Sequence, residues 1–195
     1  TGSPLWYKGT EGSETTSNIN EAGQRIVGSA DPKFYGGIGM NFRYKDFDFS
    51  FDASYTLGNK VYNSGFAYDM QVGHYFLGPV SNYIFENRWQ KPGDVTKVPK
   101  FVAQDKSGAN ASSSRFLMNG SYLRMKSMVL GYTIPRNLLS QIGIDRLRVY
   151  VSADNLFTIT AKDYIGFDPQ TRANGVQSWA YPVPTTIMFG LNLGF

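Results

Sequence analysis

The sequence predicts an all-β chain whose strands belong to an antiparallel transmembrane β-barrel. Several stretches alternate strictly between apolar and polar residues, as strands with two different faces do. Aromatic residues make up 15% of the 195 residues although mean hydropathy is only −0.30, a combination typical of barrel strands. No run approaches the roughly 18 apolar residues that a transmembrane helix needs. Long and short connections between the strands alternate, as they do in outer-membrane barrels.

The first two strands meet at Lys45-Asp46. Apolar residues occupy even positions before this point and odd positions after it. Such a change of phase predicts a tight turn between antiparallel neighbours that keep their apolar faces on the same side. The apolar positions are Ile38, Met40, Phe42 and Tyr44, then Phe47, Phe49, Phe51, Ala53, Tyr55 and Leu57.

The third strand lies within Ser121 to Thr133, where a change of phase near Lys126-Ser127 predicts a β-bulge. Ile134-Pro135 ends this strand, and Arg136 to Ile142 are expected to form about two helical turns closed by Gly143. Alternation around Val149 predicts the fourth strand, from Leu147 to Ala153.

The fifth strand runs from Thr185 to Phe195, long enough to cross an outer membrane, which takes roughly 9 to 11 tilted residues. It finishes on an aromatic residue, a pattern that resembles the C-terminal assembly signal of bacterial outer-membrane barrels. The residues expected to form this signal are Ile187, Phe189, Leu191, Leu193 and Phe195.

The segments between the strands differ sharply in length. We expect residues 1–34 to be part of an extracellular loop and residues 35–195 to hold the barrel strands, with long outer loops at 59–118 and 160–183. The connections at 45–46 and 134–145 are short and are expected on the periplasmic side. Short periplasmic turns and long outer loops are the rule for such barrels.

Polar side chains on the even face of the second strand and on the fourth strand are expected to face the lumen. They are Asp48, Asp52, Arg148 and Asp154. One hypothesis is a wall that guides ligand or binds cations. The alternative is that they simply pair with neighbouring Arg or Lys, as polar lumen faces do; the same holds for Arg124.

Large aromatic residues also stand in the predicted outer loops. Trp6, Tyr7, Trp89 and Trp179 either contact ligand or a lid partner, or anchor the loops to one another. A second aromatic set near strand ends is predicted to form the two membrane girdles. This set is Tyr35, Phe47, Tyr55, Tyr132 and Phe195.

The composition argues against several classes of chemistry. Cysteine is absent and His74 is the only histidine, without an acidic pair at metal-ligand spacing, so we expect no enzyme, no metal and no cofactor. The net charge of +4 is spread thinly, which argues against a nucleic-acid partner.

Phrases along nearly the whole chain resemble the C-terminal part of the SusC/RagA family of TonB-dependent outer-membrane transporters of Bacteroidetes. The phrases are Pro4-Leu5-Trp6-Tyr7, Asp31-Pro32-Lys33-Phe34-Tyr35-Gly36-Gly37, Tyr44-Lys45-Asp46-Phe47-Asp48, Ser121-Tyr122-Leu123-Arg124-Met125-Lys126, Leu130-Gly131-Tyr132-Thr133-Ile134-Pro135, Leu147 to Phe157, Gly166-Phe167-Asp168-Pro169 and Tyr181-Pro182-Val183-Pro184. Segment 59–118 carries little of the resemblance.

The resemblance implies a 22-stranded barrel in the bacterial outer membrane, closed by an N-terminal plug, of which this chain holds the last five strands. Family members import glycan fragments or oligopeptides with energy relayed by TonB, beneath a SusD-like surface lipoprotein that acts as a lid. The implied partners are the remaining barrel with its plug, the lid, TonB through the N-terminal part, membrane lipid and a second transporter copy. Because five strands cannot close a barrel, we expect the chain to be part of a longer protein.

Two rival hypotheses belong to other classes of protein. A secreted β-sandwich that binds carbohydrate through loop aromatics would explain the alternation and the Tyr and Trp content, but it leaves the terminal Phe unexplained. A small self-contained barrel enzyme of the outer membrane would need a set of Ser, His and acidic residues that the sequence does not offer.

Overall fold

Two compact units make up the chain, and each is considered by itself. The computed structural model describes residues 1–9, 14–73, 81–140, 143–166, 168–170 and 174–195. The larger unit covers residues 30–60, 119–175 and 180–195. The smaller unit covers residues 1–29, 61–118 and 176–179.

The larger unit is a five-stranded antiparallel sheet, which confirms the five predicted strands. Its strands are β3 Phe34–Tyr44, β4 Phe47–Leu57, β7 Tyr122–Thr133, β8 Arg146–Thr160 and β10 Thr186–Gly194. They run in the order β10-β8-β7-β4-β3, and every neighbouring pair is antiparallel. Strands joined by short connections are neighbours, as in an up-and-down barrel wall.

The turn between β3 and β4 has the predicted length of two residues. Tyr44 pairs with Phe47, so Lys45 and Asp46 alone form the turn. Lys45 adopts a φ of 55°, the left-handed conformation that tight hairpin turns demand. The change of phase read in the sequence is therefore confirmed as a hairpin.

The predicted bulge also lies where the phase changes. On the β4 side, Asp52 pairs with Ser127 but Ala53 pairs with Met125, which leaves Lys126 as the extra residue. On the other side, β8 has its own irregularity opposite Lys126, where Asn155 and the residue after it have no paired partner in the register. Asn155 has a φ of 52°. Apolar residues consequently stay on one face along the whole of β7.

The two faces of the sheet differ in chemistry. Residues paired across neighbouring strands share a face, so each cross-strand row can be assigned to one side. One row on the apolar face is Phe42, Phe49, Leu130, Val151 and Phe189. One row on the polar face is Gly39, Asp52, Ser127, Asp154 and Thr186. The apolar face is largely exposed, as a surface that meets lipid must be.

Of the aromatic residues predicted for the girdles, Phe47 and Tyr132 pack on the apolar face with ring centroids 4.6 Å apart. The prediction for Tyr35 is wrong. Tyr35 pairs with Thr56 and so lies on the polar face, because the apolar positions of β3 are the even ones.

The connection between β7 and β8 contains a short helix, α3, at Arg136–Leu139. The predicted helix extended to Ile142, and residues 141 and 142 lie outside the described residues. Gly143 has a φ of 71°, the conformation that favours glycine after a helix. An exposed ion pair of 2.8 Å joins Arg136 to Asp145 across this connection.

The smaller unit contains short elements around a core of its own. Its sheets are β1 with β2 and the three-stranded order β6-β5-β9. The bounds are β1 Trp6–Tyr7, β2 Thr15–Thr16, β5 Lys60–Asn63, α1 Ser64–Asp69, α2 Asn82–Asn87, β6 Leu117–Asn119 and β9 Val176–Gln177, with short 3-10 helices at Ile19–Glu21 and Ser114–Phe116.

The core of this unit was not visible in the sequence pattern. Its fully buried side chains include Val61, Met70, Ile84, Val98 and Phe116. Val61, Ile84 and Phe116 come from elements of three to six residues, which are too short to produce a recognisable period. Met70 and Val98 lie outside the helices and named strands. His74 lies outside the described residues. Within the described part of the chain, no helix is long and apolar enough to cross a membrane.

Candidate functional site

The central feature of the polar face is an ion pair that bridges two strands over a third. Arg148 on β8 donates from Nε to Asp48 Oδ1 at 2.9 Å and from Nη2 to Asp48 Oδ2 at 2.5 Å. Between them runs β7, where Gly131 pairs with Asp48 on one side and Tyr150 on the other. Such a two-pronged contact is the strong form of an arginine–carboxylate interaction.

Glycine at position 131 is what lets the two side chains meet. A Cβ built there would lie 2.6 Å from Asp48 Oδ2 and would also collide with the Arg148 guanidinium. The same device recurs one strand further, where the Tyr150 ring lies over Gly190 of β10. The Arg148 guanidinium in turn sits 4.8 Å from the centroid of the Tyr150 ring. Because Gly131 and Gly190 have no side chains, the Asp48, Arg148 and Tyr150 side chains can lie directly over the backbone at these positions.

Asp52 and Asp154, the other two acidic residues predicted for the lumen, share one row with Ser127 between them. Neither belongs to an ion pair of the described residues. The described residues also contain no group of three or more acidic or histidine side chains arranged to hold a metal ion. For Asp48 and Arg148 the geometry matches the hypothesis of neighbour pairing, whereas a ligand-guiding role for Asp52 and Asp154 stays a prediction.

A second, more deeply buried ion pair fixes the segment after β8. Arg124 donates from Nη2 to Asp168 Oδ1 at 2.5 Å, and the two side chains are only 5% and 10% exposed. Arg124 also donates to Thr158 Oγ1 and Gln170 Oε1, each at 3.0 Å. Asp168 Oδ1 accepts a further bond from the Gln170 backbone N–H at 2.8 Å. This contact stabilises the loop against the polar face of the sheet.

Tyr164 completes this cluster, to which we refer as the Arg124 cluster: Arg124, Thr158, Tyr164, Asp168 and Gln170. The Tyr164 hydroxyl donates to the Asp168 carbonyl oxygen at 2.7 Å. Burial, and then the nearby Asp168 charge, raise the pKa of Tyr164, so its hydroxyl remains a donor. No local sequence pattern indicates this cluster, because Arg124 and Asp168 are 44 positions apart.

The predicted loop aromatics separate into two environments. Trp6, Tyr7 and Trp89 line one cavity of about 980 Å³ in the smaller unit, and Trp6 is almost fully buried. Trp179 does not line it; this side chain is 63% exposed and meets Tyr68 edge to face at 5.8 Å. The burial of Trp6 suits an anchor of its loop, whereas most of the Trp179 side chain is exposed. Contact of these residues with ligand or a lid stays a prediction.

The final strand presents its predicted residues on the apolar face. Ile187, Phe189, Leu191 and Leu193 pair with Ala153, Val151, Val149 and Leu147 of β8. Phe195 follows the end of β10 and is 87% exposed. The last strand thus pairs with the strand around Val149, while the role of these residues in assembly stays a prediction.

Known proteins share both this sequence and this sheet. No family model matches the chain. It is 30% identical over 188 residues to TonB-dependent receptor P3 of Formosa agariphila, covering 91% of this chain and 18% of that receptor. It is 31% identical over 162 residues to TonB-dependent receptor SusC of Bacteroides thetaiotaomicron, covering 82% of this chain and 15% of SusC. The solved RagAB peptide transporter matches 100% of this chain and 21% of its own, with a TM-score of 0.78 and 30% identity.

The chain belongs to the SusC/RagA family of TonB-dependent receptors. This confirms the resemblance drawn from the sequence phrases, the barrel fold class and the outer-membrane location. The SusC/RagA-type chain spans less than a fifth of the length of the curated relatives it matches. The secreted β-sandwich is not favoured. An enzyme is not supported either, since the relatives of this SusC/RagA-type chain are receptors and transporters.

Proposed function

We propose that this chain supplies the C-terminal wall of an outer-membrane importer of the SusC type, which takes up glycan fragments or oligopeptides. The observation that best supports this is the two-faced sheet. Its strands hold 9 to 15 residues, enough to cross the apolar layer, which takes roughly 9 to 11. The apolar face suits lipid, and the opposite face carries Asp48, Arg148 and the Arg124 cluster, groups that belong beside water.

The remaining barrel is the first proposed partner. Within the described residues, β3 and β10 are each paired along one edge only. Unpaired backbone groups cannot remain in the hydrocarbon layer, since nothing there can satisfy them. We therefore infer that both edges pair with further strands of a 22-stranded barrel, which a plug domain closes and TonB energises.

The smaller unit is proposed to lie on the outer side and to meet a SusD-like lipoprotein lid. Trp179 with Tyr68, and Tyr7 beneath the Arg25 guanidinium, offer exposed aromatic surface for such a lid, for a second transporter copy or for ligand. RagAB, with which the chain superposes, is described as a peptide importer. A copurification of the tagged parent protein from outer membranes tests the lid, which is expected to be recovered with it.

Membrane integration and uptake test the proposed function. The parent protein should stay in the pellet after carbonate extraction of membranes. Cells lacking it should lose uptake of either labelled oligopeptides or labelled oligosaccharides, and a protonophore should reproduce that loss by removing the TonB energy source. Release by carbonate, or unchanged uptake of both nutrient classes, would contradict the proposal.

A further inference from the structure

The cavity of the smaller unit has the features of a ligand site. It is open to solvent on one side, has a volume of about 980 Å³ and is lined by residues 1–7, segments 19–27 and 94–99, and residues 112–115. A volume of this order is typical of pockets for small ligands. One wall is aromatic: Trp6 is buried, and Trp89 packs against Gly2, where a Cβ would lie 2.6 Å from its ring.

Arg115 places a positive charge in this cavity without a neutralising partner. Its guanidinium donates to the carbonyl oxygens of Ala109, at 3.2 Å, and Lys97, and it lies 3.8 Å from the Met70 sulfur. No carboxylate of the described residues pairs with it. Removal from water lowers the pKa of Arg115, a sign that its charge is poorly compensated. A half-buried cation of this kind gains most from an anion supplied by a ligand.

All but one of the charged side chains among the described lining residues are positive. Arg25 and Lys97 line the cavity together with Arg115. Asp94 is the one acidic side chain among them, and its Oδ2 already accepts from the backbone N–H groups of Gln90 and Lys91 at 3.0 Å each. Positive charge thus exceeds negative charge around the cavity.

We propose that this cavity binds a carboxylate-bearing ligand, with Arg115 on the carboxylate and the Trp89 ring against the ligand body. The carboxylate belongs either to the C-terminus of an oligopeptide or to an acidic sugar of a glycan fragment. The inference rests on the proposed function for the role of this ligand as cargo. Binding itself requires neither TonB nor transport.

Calorimetric titration of the full-length parent protein in detergent tests the site. The probes form two matched pairs: Gly-Gly-Phe with its C-terminal amide, and trigalacturonate with its methyl ester. We expect one acid to bind at least about ten-fold more tightly than its neutral partner, the gain typical of a hydrogen-bonded charge. The pair that shows this preference identifies the source of the carboxylate.

Substitutions then locate the site. Arg115→Gln should remove the preference for the acid, and Arg115→Lys should retain part of it. Arg136→Gln, an exposed arginine of the larger unit, is the matched control and should bind like the wild type. Limited proteolysis checks that each variant is folded.

The preference measured on the wild-type protein needs no variant and decides the proposal even if Arg115→Gln does not fold. Equal binding of acid and neutral probes, or no binding of any probe, overturns it. A preference for acid that survives in folded Arg115→Gln also overturns it. Failure of uptake in cells with this binding intact would contradict the proposed function and leave the site standing.

Discussion

Asp48 and Arg148 lie 100 positions apart in the sequence and on strands that are not neighbours, yet they form a two-pronged ion pair over the backbone of Gly131. The pair ties β4 to β8 independently of the backbone hydrogen bonds. The pair can form because Gly131, in the strand between them, has no side chain in the space where they meet.

Gly131→Ala should destabilise the sheet, because the added methyl group occupies the space where Asp48 and Arg148 meet. We expect a loss of about 1–3 kcal/mol in the free energy of unfolding, the usual cost of forcing atoms into a filled space. Denaturant unfolding of the parent protein in lipid vesicles measures it. Gly37→Ala is the control, since a Cβ there meets only the Ala53 carbonyl oxygen at an ordinary 3.5 Å. Equal stabilities would contradict the prediction.

A double-mutant cycle with Asp48→Asn and Arg148→Gln should give a measurable coupling energy. The side chains are 29% and 16% exposed, so water screens the pair only partly, and we expect on the order of 1 kcal/mol or more. The exposed Arg136–Asp145 pair provides the control cycle. Its side chains are 78% and 64% exposed, and its coupling should be about 0–0.5 kcal/mol. A coupling for Asp48–Arg148 no larger than this would show that the bridge contributes nothing.

Asp168→Asn should release the loop after β8 from the sheet, because it leaves the buried Arg124 guanidinium without its anion. Breaking a buried pair in this way costs about 3–5 kcal/mol. Amide hydrogen exchange at Gln170, whose N–H donates to Asp168, should become faster. Thr158→Val removes only a neutral acceptor of Arg124 and should have a clearly smaller effect. Unchanged exchange in Asp168→Asn would exclude the Arg124 cluster as the anchor of this loop.

The start of the smaller unit should loosen in acid. Bonds from Lys8, Thr16 and Asn18 hold the pKa of Glu21 below its usual range. A carboxyl group whose pKa is lower in the folded state stabilises that state fully at pH values above its pKa in the unfolded chain, which is about 4.3. This stabilisation is lost as the pH falls through the pKa of the folded state. Hydrogen exchange of residues 14–22, compared with Glu21→Gln at each pH, should differ at pH 7 and converge in acid. Glu86→Gln should not change this segment at any pH.

Two substitutions on the last strand should separate its faces. Leu191→Lys puts a charge on the apolar face and should cost about 2–4 kcal/mol, with less protein assembled in the outer membrane. Asn192→Lys puts the same charge one residue away, on the face that also carries Arg148, and should be tolerated. The amount of heat-modifiable protein in outer membranes measures assembly. Equal loss in both variants would contradict the assignment of the faces.

Local alternation is enough to locate the strands and to assign their faces. Alternation in Phe47–Leu57 assigns each side chain to a face, and the change of phase at Lys45-Asp46 locates the turn, because side-chain direction along a strand depends only on position. The bulge at Lys126 was visible for the same reason. Tyr35 lies on the polar face because the phase of β3 sets its direction, whereas its place near a strand end does not.

Which side chains meet depends on the packed fold. Nothing near Asp48 or Arg124 in the sequence points to Arg148 or Asp168, since strand order and loop closure bring these partners together. The core around Phe116 and the uncompensated charge of Arg115 also come from segments without any period. Periodicity records the direction of a side chain relative to its own backbone. Contact between distant segments is a property of the packed chain, which local pattern does not encode.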